Sequence, residues 1–291
     1  MIDTLEALPP TAGLYRKGLD DFVARVLAED LGIGGDVTTS STIGADVRLS
    51  AQIRSRQDIV LAGVDLAVAF FMALDPQVRV ERLVEDGARV QPDQPIMRLE
   101  GNARAMLAAE RSALNTLQHL SGIATLTRQY ADAVAGTGCT LLDTRKTVPG
   151  LRVIEKYAAR MGGATNHRMR LDDGILIKDN HLALCDSVEQ AVRSAKQSGL
   201  EVQVEVDLIE QIEPALRAGA DRLLCDNMSP MKLRQAVALV NGRVPIEASG
   251  GVRLDTIRAI AESGVDFVSV GRITQSAPAA DIGLDYTMAS D

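Results

Sequence analysis

What this chain lacks narrows its reading first. Its 291 residues hold three cysteines, Cys139, Cys185 and Cys225, odd in number and scattered. Neither a disulfide framework nor a CxxC zinc site is signalled, and a reducing cytoplasm is the expected home. No window reaches the roughly 18 uncharged apolar residues of a membrane span. The N-terminal MIDTLEALPPTAGLY has no basic region ahead of an apolar stretch, so no signal peptide is expected. Basic residues are outnumbered: 31 Lys and Arg against 39 Asp and Glu leave a net charge of -8 and a pI near 5.0. That balance argues against nucleic acid or an anionic membrane surface as a partner. A Walker loop, a GxSxG elbow and an HExxH pair are all missing, and His119, His167 and His181 share no metal-ligand spacing. Nucleophilic hydrolysis and zinc catalysis therefore have no support. GIGGD at 32–36 follows a helical pattern where a dinucleotide loop needs a strand, so that reading is rejected.

What is present describes a folded protein with a real core, 46% of its residues being hydrophobic. Leu19, Phe22, Val23, Val26, Leu27 and Leu31 recur at helical spacing before the glycines of GIGGD stop the pattern. Val47, Leu49, Ala51 and Ile53 alternate with polar residues, which predicts a strand with one wet face. VDLAVAFFMAL suits a buried helix, and VRVERLVEDG and QPIMRLEG suit short strands. The first hundred residues thus form a mixed α+β unit. From Ala103 to Ala135 the pattern is helical, with Ser121 and Gly122 predicting a bend between two helices.

The rhythm then changes. Apolar runs recur at 141–143, 175–178, 202–206, 222–226, 245–249 and 267–271, with helical stretches between the later ones. Such alternation implies parallel strands joined by right-handed crossovers, as an α/β barrel or an open doubly wound sheet.

The strand ends carry the chemistry. Five cations, Arg145, Lys146, Arg152, Arg168 and Lys178, fall in one stretch, most of them where a strand would end. One such residue is better read as solvated surface, but several at successive strand ends are better read as an anion site on a barrel rim. Arginine forks match carboxylates and lysine acts as a mobile point charge, so the mix suits a ligand bearing both carboxylate and phosphate groups. Glu205 and Asp226 end apolar strands, where a carboxylate needs a partner. They would pair with Lys178 or Arg145, or hold a divalent cation or sugar hydroxyls, and the readings are compatible. ASGG at 248–251 and VGRIT at 270–274 supply glycines whose backbone amides can approach phosphate. His167 beside Arg168 is placed in the site; His119 is read as packed or capped, and His181 is left undecided.

These residues carry a resemblance. EDLGIGGDVTT, ERSALNTLQHLSGIAT, LDTRKTVPGLR, GGATNHRMRLDDGILIKDNH, VEVD, CDN, EASGGV and GVDFVSVGRIT…DIGLDY look like the nicotinate-nucleotide pyrophosphorylase, or quinolinate phosphoribosyltransferase, family, from about Glu29 to Tyr286. The resemblance implies an α/β fold: an incomplete parallel (TIM-like) barrel, residues 116–279, and an N-terminal α+β sandwich-like domain, residues 1–115, joined by the C-terminal segment 280–291. It implies transfer of phosphoribosyl from phosphoribosyl pyrophosphate to quinolinate with loss of carbon dioxide, in NAD biosynthesis. A cytoplasmic homodimer is implied, larger assemblies being left open, with Arg111 reaching the neighbouring subunit's site. That arginine with Arg145, His167, Arg168 and Lys178 would bind quinolinate. Lys146, Glu205, Asp226, Ser249, Gly250 and Gly271 would hold phosphoribosyl pyrophosphate. Glu205 and Asp226 would also hold Mg2+, and with Lys146 would be the catalytic groups. Thr144 and Arg152 would be secondary contacts. The chain reads GRITQS where the family usually reads GALTHS, so Gln275 replaces a histidine and Arg272 a small residue near the phosphate. Two rivals are a non-catalytic relative, expected to have lost part of the rim, and a barrel enzyme acting on another heterocycle such as nicotinate.

Overall fold

The structure, a computed structural model, describes residues 16–287. The expectation about a signal peptide and the last residues of the 280–291 segment therefore lie outside the described residues. Two compact units are distinguished. One gathers residues up to Leu126, Val153–Gly162 and from Ser276 on; the other gathers Thr127–Arg152 and Gly163–Gln275.

The first unit opens with α1 (Arg16–Leu31) and α2 (Val37–Thr42), the latter capped by the Asp36 carboxylate, which accepts from Thr39 N–H at 2.9 Å. Strand β1 (Arg48–Ser55) is followed by β2 (Ile59–Val60), α3 (Val64–Leu74), β3 (Arg79–Arg82), β4 (Arg89–Val90) and β5 (Pro95–Asn102). An antiparallel sheet forms in the order β12-β1-β5-β3, where β12 is Ile282–Thr287. The alternation read in β1 is realised: Ala51 and Ile53 are buried and face Leu99 and Met97 of β5. Helix α3 is apolar almost all round because it is buried almost all round, with Phe70 6.0 Å from Phe22 of α1, ring centre to ring centre.

Helix α4 (Ala103–Val134) corrects the expected bend, for it runs unbroken for 32 residues. Ser121 does not end the helix, because its hydroxyl accepts from Ala62 N–H at 3.1 Å and so anchors a neighbouring chain segment. Gly122 is small for a packing reason: a Cβ there would sit 2.0 Å from the Pro278 carbonyl oxygen. The first unit is completed by most of α5 (Arg152–Gly162).

The second unit holds β6 (Thr140–Leu142), β7 (Ile175–Ile177), α6 (Asp179–Leu182), α7 (Val188–Lys196), β8 (Val202–Val206), α8 (Ile212–Arg217), β9 (Arg222–Asp226), α9 (Pro230–Val240), β10 (Ile246–Ser249), α10 (Ile257–Ala261), β11 (Phe267–Ser269) and α11 (Arg272–Gln275). Six parallel strands lie in the order β6-β11-β10-β9-β8-β7. Thr165 adds a single parallel bridge to Leu142 on the outer side of β6, and no pairing joins it to β7 among the described residues. The result is an incomplete α/β barrel. Strand β8 is buried at all five positions, as expected of a parallel strand covered on both faces. Local signals set the helix starts: Ser187 and Ser229 cap α7 and α9, and Pro230 occupies the first turn of α9. Several expected strands end early. Asp143 and Lys178 lie just past their strands, and Gly271 two residues past its own, in the loops that follow.

Candidate active site

The strand-end loops of the second unit gather most of the residues named from the sequence. Adjacent β11 and β6 join through their loops: Thr274 Oγ1 donates to the Lys146 carbonyl at 2.7 Å, and Lys146 N–H donates to Thr144 Oγ1 at 3.0 Å. Gly271 faces the same loop, and a Cβ there would meet Lys146 Cδ at 2.7 Å. On adjacent β9 and β10, Asp226 and Ser249 are register partners. Asn227 takes a left-handed φ of 53° and donates its N–H to the Ser249 carbonyl at 2.9 Å and its side-chain amide to Asp226 at 2.5 Å. Gly250, at φ 85°, cannot become alanine without its Cβ falling 2.3 Å from Asn227 Oδ1.

Cations and carboxylates meet in two ways. Lys178 Nζ lies 2.5 Å from Glu205, the ion pair foreseen as one of its readings. Among the described residues, by contrast, the side chains of Arg145 and Lys146 form no ion pair, and the buried Nε of Arg145 has no hydrogen-bond partner. Arg168 donates to the Gly174 carbonyl at 2.8 Å. Burial and then the like charge of Arg145 lower its pKa, a cost that a bound anion would relieve. Arg152 spans the loops, donating to Thr147 Oγ1 and to the Met169 carbonyl, each at 3.2 Å.

The acidic side is equally concentrated. Carboxylate oxygens of Glu205, Asp207 and Asp226 lie within 4.8 Å of one another. Burial and then the Glu205 charge push the Asp226 carboxyl above its ordinary pKa, while Lys178 and Lys146 act the other way. A trio of hard oxygen donors fits a divalent cation.

Other candidates are placed differently. Arg111 lies exposed on α4, in the first unit. His119 bonds Glu155 at 2.8 Å, consistent with a packed role, and His181 accepts from Lys178 N–H at 2.9 Å at the start of α6. Arg272 and Gln275 are exposed on α11.

The family model described as quinolinate phosphoribosyl transferase, C-terminal domain, matches residues 123–285, and that of the N-terminal domain matches residues 36–121. The chain belongs to the quinolinate phosphoribosyltransferase family. It is similar to nicotinate-nucleotide pyrophosphorylase [carboxylating] of Mycobacterium leprae, 42% identical over 91% of this chain and 96% of that one. The chloroplastic protein of the same name from Arabidopsis thaliana is 41% identical over 95% of this chain and 84% of its own length. The solved nicotinate-nucleotide pyrophosphorylase of Francisella tularensis superposes with a TM-score of 0.91 at 36% identity, covering 97% of this chain and all of that one.

Three residues of this quinolinate phosphoribosyltransferase family member escaped the sequence reading. Asp143, fully buried, accepts from His167 N–H at 2.7 Å and from the Asn166 amide at 2.5 Å, and so sets the loop that carries His167 and Arg168. Thr274 pins the Lys146 loop. Glu247 is buried within β10. The signal was available for Asp143 and Glu247, since each is an acid in an apolar run, like Glu205.

Proposed function

We propose that this chain transfers the phosphoribosyl group of phosphoribosyl pyrophosphate to the nitrogen of quinolinate, giving nicotinate mononucleotide, pyrophosphate and carbon dioxide. The observation that carries the reading is the Arg145–Lys146 pair, whose side chains form no ion pair among the described residues, on the strand-end loops of the unit that also carries Arg168, Glu205 and Asp226. Arg145, Arg168, His167 and Lys178, with Arg111 of the partner subunit in a homodimer, are assigned to quinolinate. Lys146, Ser249, Gly250 and Gly271 are assigned to the phosphates, with Thr144 and Arg152 shaping the loops.

Positioning and electrostatics do the work. The pyridine nitrogen bonds to ribose C1 as the bond from C1 to the pyrophosphate oxygen breaks, and both electrons leave with pyrophosphate. Lys146 stabilises that departing negative charge, and Glu205 and Asp226 favour the positive charge developing at C1. Once quaternised, the ring draws in the electrons of the bond between C2 and its carboxylate. Carbon dioxide departs and a solvent proton takes its place at C2. Glu205, Asp207 and Asp226 would hold Mg2+, which when bound would neutralise pyrophosphate charge.

Among the described residues no helix is long and apolar enough to cross a membrane. We place the protein in the cytoplasm, a reading supported by three unpaired cysteines, two of them buried with thiols pushed up to about 12 by burial. The test of the activity is incubation with quinolinate, phosphoribosyl pyrophosphate and Mg2+. Carbon dioxide and mononucleotide are expected in equal amounts; equal turnover of nicotinate would overturn the substrate assignment.

A further inference from the structure

Glu247 is fully buried on β10, and none of the chemistry above uses it. Side chains from several elements converge on it. Gln203 of β8 donates to Oε2 at 2.8 Å, Arg222 of β9 places Nη2 2.9 Å from the same oxygen, and His167 Nε2 lies 3.4 Å from it. The guanidinium of Arg222 is stacked over Phe267 at 3.8 Å, so its charge meets Glu247 without a well-aligned hydrogen bond. Glu247 Oε1 has none at all. An ion pair this far from water is a poor stabiliser compared with packed apolar side chains, which points to a role other than stability.

The role is visible at His167. Its Nδ1 accepts from Arg168 N–H at 2.7 Å, so that nitrogen carries a lone pair and the proton of the neutral ring sits on Nε2, facing Glu247. Asp143 fixes the same residue from its backbone side. We propose that Glu247 is a positioning residue for the quinolinate site: it holds His167 in the Nε2–H tautomer, and His167 in turn orients the peptide and guanidinium of Arg168. This rests on the assignment of Arg168 to quinolinate. Outer-shell carboxylates fix the tautomer of metal-bound histidines by the same geometry. Burial pushes the Glu247 carboxyl up, but its hydrogen bond with His167 and the charge of Arg222 outweigh it and hold its pKa below the ordinary value.

The test is nitrogen NMR of histidine-labelled protein, which reads the tautomer of each ring without substrate; the chain has three histidines to assign. His167 is expected to carry its proton on Nε2, with Nδ1 unprotonated. A ring protonated on Nδ1 overturns the proposal, and does so whether or not the reaction assignment stands. Two variants add the functional readout. E247Q keeps an acceptor oxygen and should retain the tautomer, whereas E247M removes it and should lose it. Loss of an outer-shell partner typically costs about 10- to 100-fold, so E247M is expected to raise KM for quinolinate about tenfold, with KM for phosphoribosyl pyrophosphate within about twofold and E247Q closer to wild type. Equal rises in both KM values, or an unchanged His167 tautomer in E247M, would mean that Glu247 is structural only. Should E247M not fold, the wild-type tautomer and E247Q decide the matter.

Discussion

Arginine is used in opposite ways by the two units. In the sheet of the first, Arg48 and Arg79 flank Glu100, Arg54 and Arg56 flank Asp285, Arg82 meets Asp65 and Arg98 meets Glu81. These side chains are partly exposed, and each charge is answered by a neighbour on the same surface. On the rim of the second unit, Arg145 and Lys146 are answered by no carboxylate within ion-pair distance among the described residues, and Arg168 is held against the Gly174 carbonyl. A paired arginine is finished when the chain folds, whereas an unpaired one on a rim leaves a charge that an anion can answer.

Substitutions can break that contrast. Each charge-assisted hydrogen bond is worth about 1.5–3 kcal/mol, so Arg145→Ala is expected to raise KM for quinolinate about 100-fold or more. It should leave Tm unchanged or slightly raised, because it removes a buried unsatisfied nitrogen and the repulsion with Arg168. A lowered Tm with unchanged KM would make Arg145 structural. If Arg111 serves the neighbouring subunit, mixing inactive Arg111→Ala and Arg145→Ala proteins should restore about a quarter of wild-type activity, since half the dimers are mixed and each mixed dimer has one intact site. No recovery after subunit exchange would place Arg111 elsewhere.

Asp226 sharpens the acidic side. Burial and the Glu205 charge push its carboxyl above its ordinary pKa, so the folded chain favours the protonated form more than the unfolded chain does. Ionised at neutral pH it subtracts stability, and that penalty is absent below the ordinary carboxyl pKa of about 3.9. Asp226→Asn is therefore expected to lower kcat about tenfold while raising Tm on the order of 1 °C at pH 7, with the gain vanishing near pH 4. A gain that persists at pH 4 would contradict the electrostatic cause. The smallest effect belongs to the first unit: Glu81→Ala should cost about 0.2–1 kcal/mol by denaturant titration and leave both KM values unchanged.

Much of this was legible in the chain itself. Short apolar runs such as RLLCD, recurring with helical stretches between them, announced parallel strands, and a strand covered on both faces needs no polar alternation. The acids and cations at their ends marked the rim. What stayed hidden depended on contacts distant in sequence. Ser121 and Gly122 look like a helix break until Ala62 and the Pro278 carbonyl are seen to approach them. Glu247 in PIEAS carries no sign that its partners are Gln203, Arg222 and His167, because three strands and a loop bring them together. An ion pair of Glu205 with Lys178 was one of the readings left open, beside Arg145 as partner and a divalent cation or sugar hydroxyls as ligand, and the structure forms it.

Calorimetric titration of quinolinate and of nicotinate into wild-type protein and Arg145→Ala tests the central claim most directly. The unpaired rim cations should make quinolinate bind at least about tenfold more tightly than nicotinate in the wild type, and Arg145→Ala should erase most of that preference. Equal affinity for the two acids in the wild type, or a preference untouched by the substitution, would contradict it.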